Sequence, residues 1–143
     1  MSSYTLGIDT SNYATSLAVF NTAGEVVCAK KRFLPVKEGQ LGLRQSDALF
    51  HHTAALPGLL CELAGEADLT RVEAVGVSAR PRPVEGSYMP CFLAGVSAAR
   101  AFCVCRGLPL VERVVTVTGE VVKNPGNWRL RIGTPVIRAI EFA

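Results

Sequence analysis

The sequence is poor in histidine, in aromatic residues and in unbalanced charge, and each shortage removes a class of function. Its two histidines, His51 and His52, are adjacent. Neighbours on a helix project roughly 100° apart, so this pair cannot copy two metal ligands spaced by a helical turn. Core or solvated histidines are the expected reading. The five cysteines, Cys28, Cys61, Cys91, Cys103 and Cys105, are odd in number and contain no Cys-x-x-Cys pair. That excludes a cluster-binding run and argues against a disulfide framework. Four of them stand in apolar surroundings, where a reduced thiol behaves as a small hydrophobe, and a cytoplasmic setting is expected. Net charge is only +3, and the basic residues are scattered apart from Lys30-Lys31-Arg32 and the pair Arg129 and Arg131. Both groups read as solvated faces rather than as a nucleic-acid surface. The start, Met1-Ser2-Ser3-Tyr4, has neither the basic nor the apolar region of a signal peptide. The most apolar stretch, Cys91 to Val111, is interrupted by Arg100 and Arg106, which favours a buried helix over a membrane span.

What is present is core-forming material: 49% of the 143 residues are hydrophobic and 19% charged, which predicts one packed domain. Thr5 to Ile8 is an apolar run ending at Asp9 and reads as a buried strand. Ser11-Asn12 is turn-prone and leads to a second strand, Thr15 to Phe20. Asn21 to Gly24 supplies another turn before a third strand, Glu25 to Arg32. Ser46 is the expected cap of a first helix, with Asp47 at its positive end. Leu49, Leu56, Leu59, Leu60 and Leu63 recur at helical spacing, and Pro57 predicts a kink or restart near Leu56. Val72 to Ser78 is a fourth strand, Arg80 to Ser87 a loop, and Pro90 to Cys105 a second helix ended by Gly107. Leu108-Pro109-Leu110 approaches a fifth strand. The order β-β-β-α-β-α-β is α/β and ribonuclease-H-like: an antiparallel meander extended by parallel strands. Beyond it, Val114 to Thr118 and Trp128 to Ile132 read as a hairpin around the turn Asn124 to Asn127. A short helix capped by Thr134, with Pro135 in its first position, closes the tail.

Two segments of the first region are suited to chemistry. In Gly7-Ile8-Asp9-Thr10-Ser11-Asn12, a carboxylate at a strand end precedes hydroxyl residues in a tight turn. Backbone N–H groups and hydroxyls of such a turn donate to phosphate, while the carboxylate orients water or a cation. An ordinary hairpin turn has the same composition. The loop Ser78 to Ser87 places Gly86-Ser87 before the second helix, where an anion is favoured; a plain connection would also serve. In this topology both bends leave neighbouring strands at one end of the sheet, where ligands of open α/β sheets bind.

Residues 4–110 resemble the N-terminal lobe of the tRNA N6-adenosine threonylcarbamoyltransferase family, the TsaD group, also known as O-sialoglycoprotein endopeptidase. The words that carry this are Leu6 to Tyr13, Leu34 to Gly39 with Gly42 to Asp47, Val77 to Pro90, and Leu93 to Val96. The resemblance implies a lobe of the actin-like ATPase superfamily. It implies ATP or threonylcarbamoyl-adenylate as ligand, with Asp9, Thr10, Ser11, Asn12, Gly86 and Ser87 on the phosphate side. Partners would be tRNA and the other threonylcarbamoylation subunits, with no membrane involved. Departures from the family pattern are equally specific. Tyr13 and Ala14 replace acidic residues, and Arg80-Pro81-Arg82-Pro83 replaces a Gly-Pro-Gly. The family's His-x-x-x-His metal pair is missing, so retention of the metal is not expected, no catalytic residue is assigned, and the second lobe is missing too. Whether such a chain is an enzyme stays open. TsaB, a related subunit that lacks the metal histidines and works as a dimerising scaffold, is the alternative.

Residues 111–143 resemble something else, a β-grasp segment of RnfC, a protein of electron transport. Val111 to Glu120, Lys123 to Asn127 and Arg131 to Pro135 carry that likeness. The two resemblances meet at Leu110-Val111, which predicts a chimera of a 1–110 lobe and a 111–143 segment. It arises by gene rearrangement or by an assembly error in the sequence. An electron-transport role inherited from the tail is the third reading.

Overall fold

The computed structural model describes residues 3–36, 39, 42–112, 116–117 and 126–127. Its chain forms two compact units, Met1–Arg113 and Val114–Ala143.

The first unit is a five-stranded sheet with two helices against it. β1 (Tyr4–Asp9), β2 (Ala14–Asn21) and β3 (Val26–Phe33) form the antiparallel meander. β4 (Val72–Val77) and β5 (Leu110–Glu112) add in parallel, giving the spatial order β3-β2-β1-β4-β5. Each of the four strands given limits in this unit forms, within one or two residues of them. A short 3-10 turn, Leu69–Arg71, leads into β4 and has no counterpart in the sequence reading; Asp68 caps it by accepting from the Thr70 N–H at 3.0 Å.

Alternation along the strands decides where the helices lie. Leu6, Ile8, Thr15, Leu17, Val19, Cys28, Val72, Val75 and Val77 are buried on one face. Both helices cover that face: α1 (Gln45–Ala64) lies over β2 and β3, and α2 (Phe92–Arg106) over β1, β4 and β5. Leu56, Leu59 and Leu63 from α1 and Ala94, Val96, Ala99 and Cys103 from α2 complete the core. Full burial of a leucine such as Leu59 contributes about 1.5–3 kcal/mol.

Helix ends differ from the expectation in one place. Ser46 is not the cap of α1: the helix begins at Gln45, flanked by Arg44, which makes no side-chain cap bond. The Ser46 hydroxyl instead meets the Asp47 carboxylate at 3.3 Å. The Ala48 N–H already bonds the Arg44 carbonyl, so the turn closes two residues earlier than the hydroxyl pattern suggested. Nor does Pro57 restart the helix; α1 is one element across it. Buried Leu56 and Leu59 on either side anchor the segment, and Pro57 itself is exposed, where water can serve the Thr53 carbonyl that its missing N–H leaves free. α2 starts at Phe92 rather than Pro90, and Gly107 ends it in the left-handed region at φ 62°. The Leu108 N–H then bonds the Cys103 carbonyl at 2.9 Å, closing the helix end as glycine stops do.

The opposite face of the sheet has no helix among the described residues of this unit. Register aligns Gly76, Gly7, Ala18 and Ala29 in one row across four strands. Phe20 lies half-buried and Phe33 exposed on the same face. No described helix is long and apolar enough to cross a membrane.

In the second unit, β6 (Thr116–Val117) and β7 (Gly126–Asn127) pair antiparallel, Thr116 with Asn127 and Val117 with Gly126. The returning strand thus already occupies part of the expected turn. The predicted strand Trp128 to Ile132 and the helix after Thr134 lie outside the described residues.

Candidate functional site

β1 and β4 are parallel neighbours, Ile8 opposite Val77, so the turn after Asp9 and the loop after Val77 leave the sheet at the same end. The Ser78 N–H extends the ladder to the Ile8 carbonyl at 3.1 Å. From that shared end the six expected residues separate.

Asp9 turns its carboxylate back on its own turn, accepting from the Ser11 N–H at 2.9 Å. By strand alternation with buried Ile8, its side chain belongs to the open face of the sheet. Thr10 points the other way and is fully buried. Its hydroxyl donates to the Cys91 carbonyl at 2.9 Å and accepts from the Gly95 N–H at 3.1 Å. That corrects one expectation: the Thr10 hydroxyl is used up tying β1 to α2 and cannot donate to a phosphate. Gly95 permits the tie, because a Cβ there would stand 2.8 Å from Thr10 Oγ1.

Ser11 and Asn12 do border a cavity of about 130 Å³, together with Tyr13, Leu34, Gln45 and Cys91. Gly86 and Ser87 do not line it. Gly86 takes φ 74° in an exposed turn, and the Ser87 hydroxyl accepts from the Arg82 N–H at 3.0 Å, bracing the loop on itself. The sheet end is therefore shared, and the hollow is bordered by the first turn, the β3–α1 connection, the first turn of α1, and Met89 and Cys91 where the β4–α2 connection reaches α2, while Gly86 and Ser87 stand outside it. Gln45 and Ala48, also on its wall, escape sequence reasoning. Only the long-range folding of α1 onto the turn brings them there, and no local motif signals it.

His52 ties α1 to the first turn and to β2. Its ring is fully buried, with Nε2 2.9 Å from the Asn12 carbonyl and Nδ1 2.8 Å from Thr15 Oγ1. A carbonyl only accepts, so Nε2 carries the proton and Nδ1 accepts from the Thr15 hydroxyl. Burial holds the imidazole below its ordinary pKa; the Asn12 hydrogen bond and the Asp9 charge oppose this, and His51 adds to it. With both nitrogens in use, His52 is a core histidine and not a metal ligand, and no three His, Cys, Asp or Glu side chains gather around a common point among the described residues. The donor set does not fit the family's metal. Cys91 borders the cavity too, its thiol pushed up by burial, which keeps it protonated and unreactive.

Similarity to known proteins follows the unit boundary only in part, since a family model matches the second unit while the curated relatives match 49 residues, a stretch longer than that unit. Residues 114–143 match the model of the SLBB domain. The RnfC homologue of the ion-translocating oxidoreductase complex from Serratia proteamaculans is 49% identical over 34% of this chain, which covers 7% of that protein. Its counterpart from Cronobacter sakazakii is 51% identical over 34% of this chain and 6% of its own length. The chain thus spans less than a tenth of the curated relatives it matches. Among solved structures, YeaZ from Pseudomonas aeruginosa superposes with a TM-score of 0.52 at 18% identity, covering 84% of this chain and 46% of that one. A protein described as similar to peptidase YeaZ, also from Pseudomonas aeruginosa, gives 0.56 at 17% identity, covering 84% and 45%. At such identities the likeness shows the fold alone, a mixed α/β lobe of the ribonuclease-H-like kind.

Proposed function

We propose that the first unit is a non-catalytic scaffold lobe of the YeaZ (TsaB) kind, acting in tRNA threonylcarbamoyladenosine modification by pairing with a second copy. The observation that carries this reading is the open sheet face. Gly76, Gly7, Ala18 and Ala29 form a small-residue row, with the Phe20 ring against Gly7 and, on the same face, exposed Phe33 beneath the Lys31 ammonium. Exposed apolar surface of this kind favours association. The YeaZ structures supply the matching fold, and the commitment of His52 to the core argues against the family's metal chemistry in this lobe. Sedimentation velocity of the 143-residue chain tests it: a defined dimer supports the scaffold, and a monomer at all concentrations defeats it.

A second reading keeps the nucleotide. The shared sheet end and the Ser11–Asn12 wall of the cavity favour a TsaD-like lobe that takes ATP or threonylcarbamoyl-adenylate, with Asp9, Ser11, Asn12, Gly86 and Ser87 on the phosphate side. A hollow of about 130 Å³ is small beside the roughly 300–1,000 Å³ of ordinary ligand pockets. It suits a phosphate-sized group, and the rest of a nucleotide would need a second lobe. Calorimetric titration with ATP distinguishes the two readings. Binding that Asp9→Ala weakens about tenfold favours the nucleotide lobe; no heat favours the scaffold. The 1–110 and 111–143 division is proposed as a fusion of the two ancestries, and sequencing source DNA across Leu110-Val111 separates a rearranged gene from an assembly error.

A further inference from the structure

We propose that the second copy is seated by charge: across the open sheet face, Asp9 of each copy pairs with Lys31 of the other. This rests on the scaffold reading and adds to it the orientation of the two copies. Strand alternation gives the starting point. Ile8, Thr15, Leu17 and Cys28 are buried under the helices, so Asp9, Ser16 and Lys31 belong to the open face. Register puts them in one row, Asp9 opposite Ser16 and Ser16 opposite Lys31. The next row along the strands is the small one, with Gly7, Ala18 and Ala29. Within one copy the two charges stand two strands apart, about 9–10 Å between backbones, with Ser16 in the way. The described ion pairs, Lys30 with Glu66 and Arg32 with Glu62, use neither of them. The Lys31 ammonium rests 4.8 Å from the centre of the Phe33 ring. The Asp9 carboxylate accepts from the Ser11 N–H through Oδ1, which leaves Oδ2 without a described partner.

Two identical faces pack about a two-fold axis that lies between them, parallel to both sheets. Run along β2, that axis maps β1 of one copy onto β3 of the other. Asp9 then stands opposite Lys31 on each side of the axis, because register holds both in the row of Ser16. Ser16 and Ala18 meet their own copies on the axis, and Gly7 meets Ala29. Small residues in the neighbouring row let the backbones approach to the spacing of stacked sheets, about 10 Å, which a lysine and an aspartate span between them. An axis along the small row instead sets Asp9 opposite Thr5 and Lys31 opposite Val26 and Val27. Neither charge is then answered. An interface that buries an unanswered charge is weakened, so the pairing selects the axis along β2.

Sedimentation equilibrium of the full chain tests the pairing through a double-mutant cycle. Asp9→Asn keeps an acceptor for the Ser11 N–H and removes the charge, and Lys31→Gln removes the other. Each should raise the dimer dissociation constant about tenfold, and the double variant should do no worse than either alone. Raising sodium chloride from about 0.05 M to about 0.5 M should weaken the wild-type dimer more than that of the double variant. Losses that add in the double variant, or no loss in either single, overturn the arrangement, while a wild-type dimer keeps the scaffold reading. A wild type that is monomeric throughout defeats that reading, and the arrangement with it. Should Asp9→Asn fail to fold, judged by circular dichroism, Lys31→Glu decides. Repulsion from Asp9 should then weaken the dimer further than Lys31→Gln does, and equal constants for the two refute the pairing.

Discussion

Thr10 and Gly95 meet where a single methyl group has no room. Gly95→Ala would put a Cβ 2.8 Å from Thr10 Oγ1 and 3.3 Å from Val77 Cγ2. Neither neighbour is a loose side-chain end, since the hydroxyl is fixed by two hydrogen bonds and Val77 is core. The expected loss is about 1–3 kcal/mol in urea unfolding; an unchanged midpoint would show that α2 can move away freely. His52 carries the pH dependence. Because its folded pKa is depressed, the unfolded chain takes up a proton at a pH where the fold does not. Its contribution is complete above about pH 6.5 and drains away as pH falls toward the folded value. Urea midpoints should therefore drop on going below about pH 6.5, and His52→Gln should remove much of that slope. Cys28, Cys91 and Cys103 are buried with their thiols pushed up by desolvation, while Cys61 and Cys105 are exposed. An alkylating reagent should modify Cys61 and Cys105 in the native chain and reach the other three only on unfolding. At this scale the sequence told that the two histidines cannot copy a pair of ligands spaced by a helical turn, because adjacent residues of α1 project roughly 100° apart. It could not tell which of the two was buried, since that depends on a contact 37 residues away.

The elements were more legible than their ends. Strand alternation and leucine spacing are local and repeated, so the order of strands and helices could be read directly, as could the glycine stop at Gly107. Ser46 misled because a hydroxyl caps a helix only where the backbone is extended, and here that residue is Arg44, at φ −63° and ψ 148°. Pro57 does not restart the helix, the second of its two expected outcomes: tertiary burial of Leu56 and Leu59 outweighs a missing hydrogen bond. Pro57→Ala restores the N–H to the Thr53 carbonyl at an exposed position, while loosening the unfolded chain. The first effect is the larger, so a net gain of about 1–2 kcal/mol is expected from thermal unfolding. A loss would mean that the proline is part of the helix's fit to β3. The tie between α1 and β3 is electrostatic as well, through Arg32 with Glu62 and, just past the helix end, Lys30 with Glu66, but these exposed pairs contribute little.

For the molecule as a whole, the topology brought the two candidate bends to one end of the sheet, as the order of elements required. The second connection reaches the cavity through Met89 and Cys91 and not through Gly86 and Ser87. Which loops enclose a cavity depends on how α1 leans over the first turn, and no local pattern encodes that lean. The open face is a clearer product of the same topology, because both helices lie on one side and register then aligns four small residues on the other. That face is the centre of the proposed pairing, and Ala18 stands in the middle of its row. Sedimentation velocity of the wild type against Ala18→Glu tests the claim most directly. The account expects a dimer for the wild type and a folded monomer for the variant; a variant that dimerises as well as the wild type would contradict it.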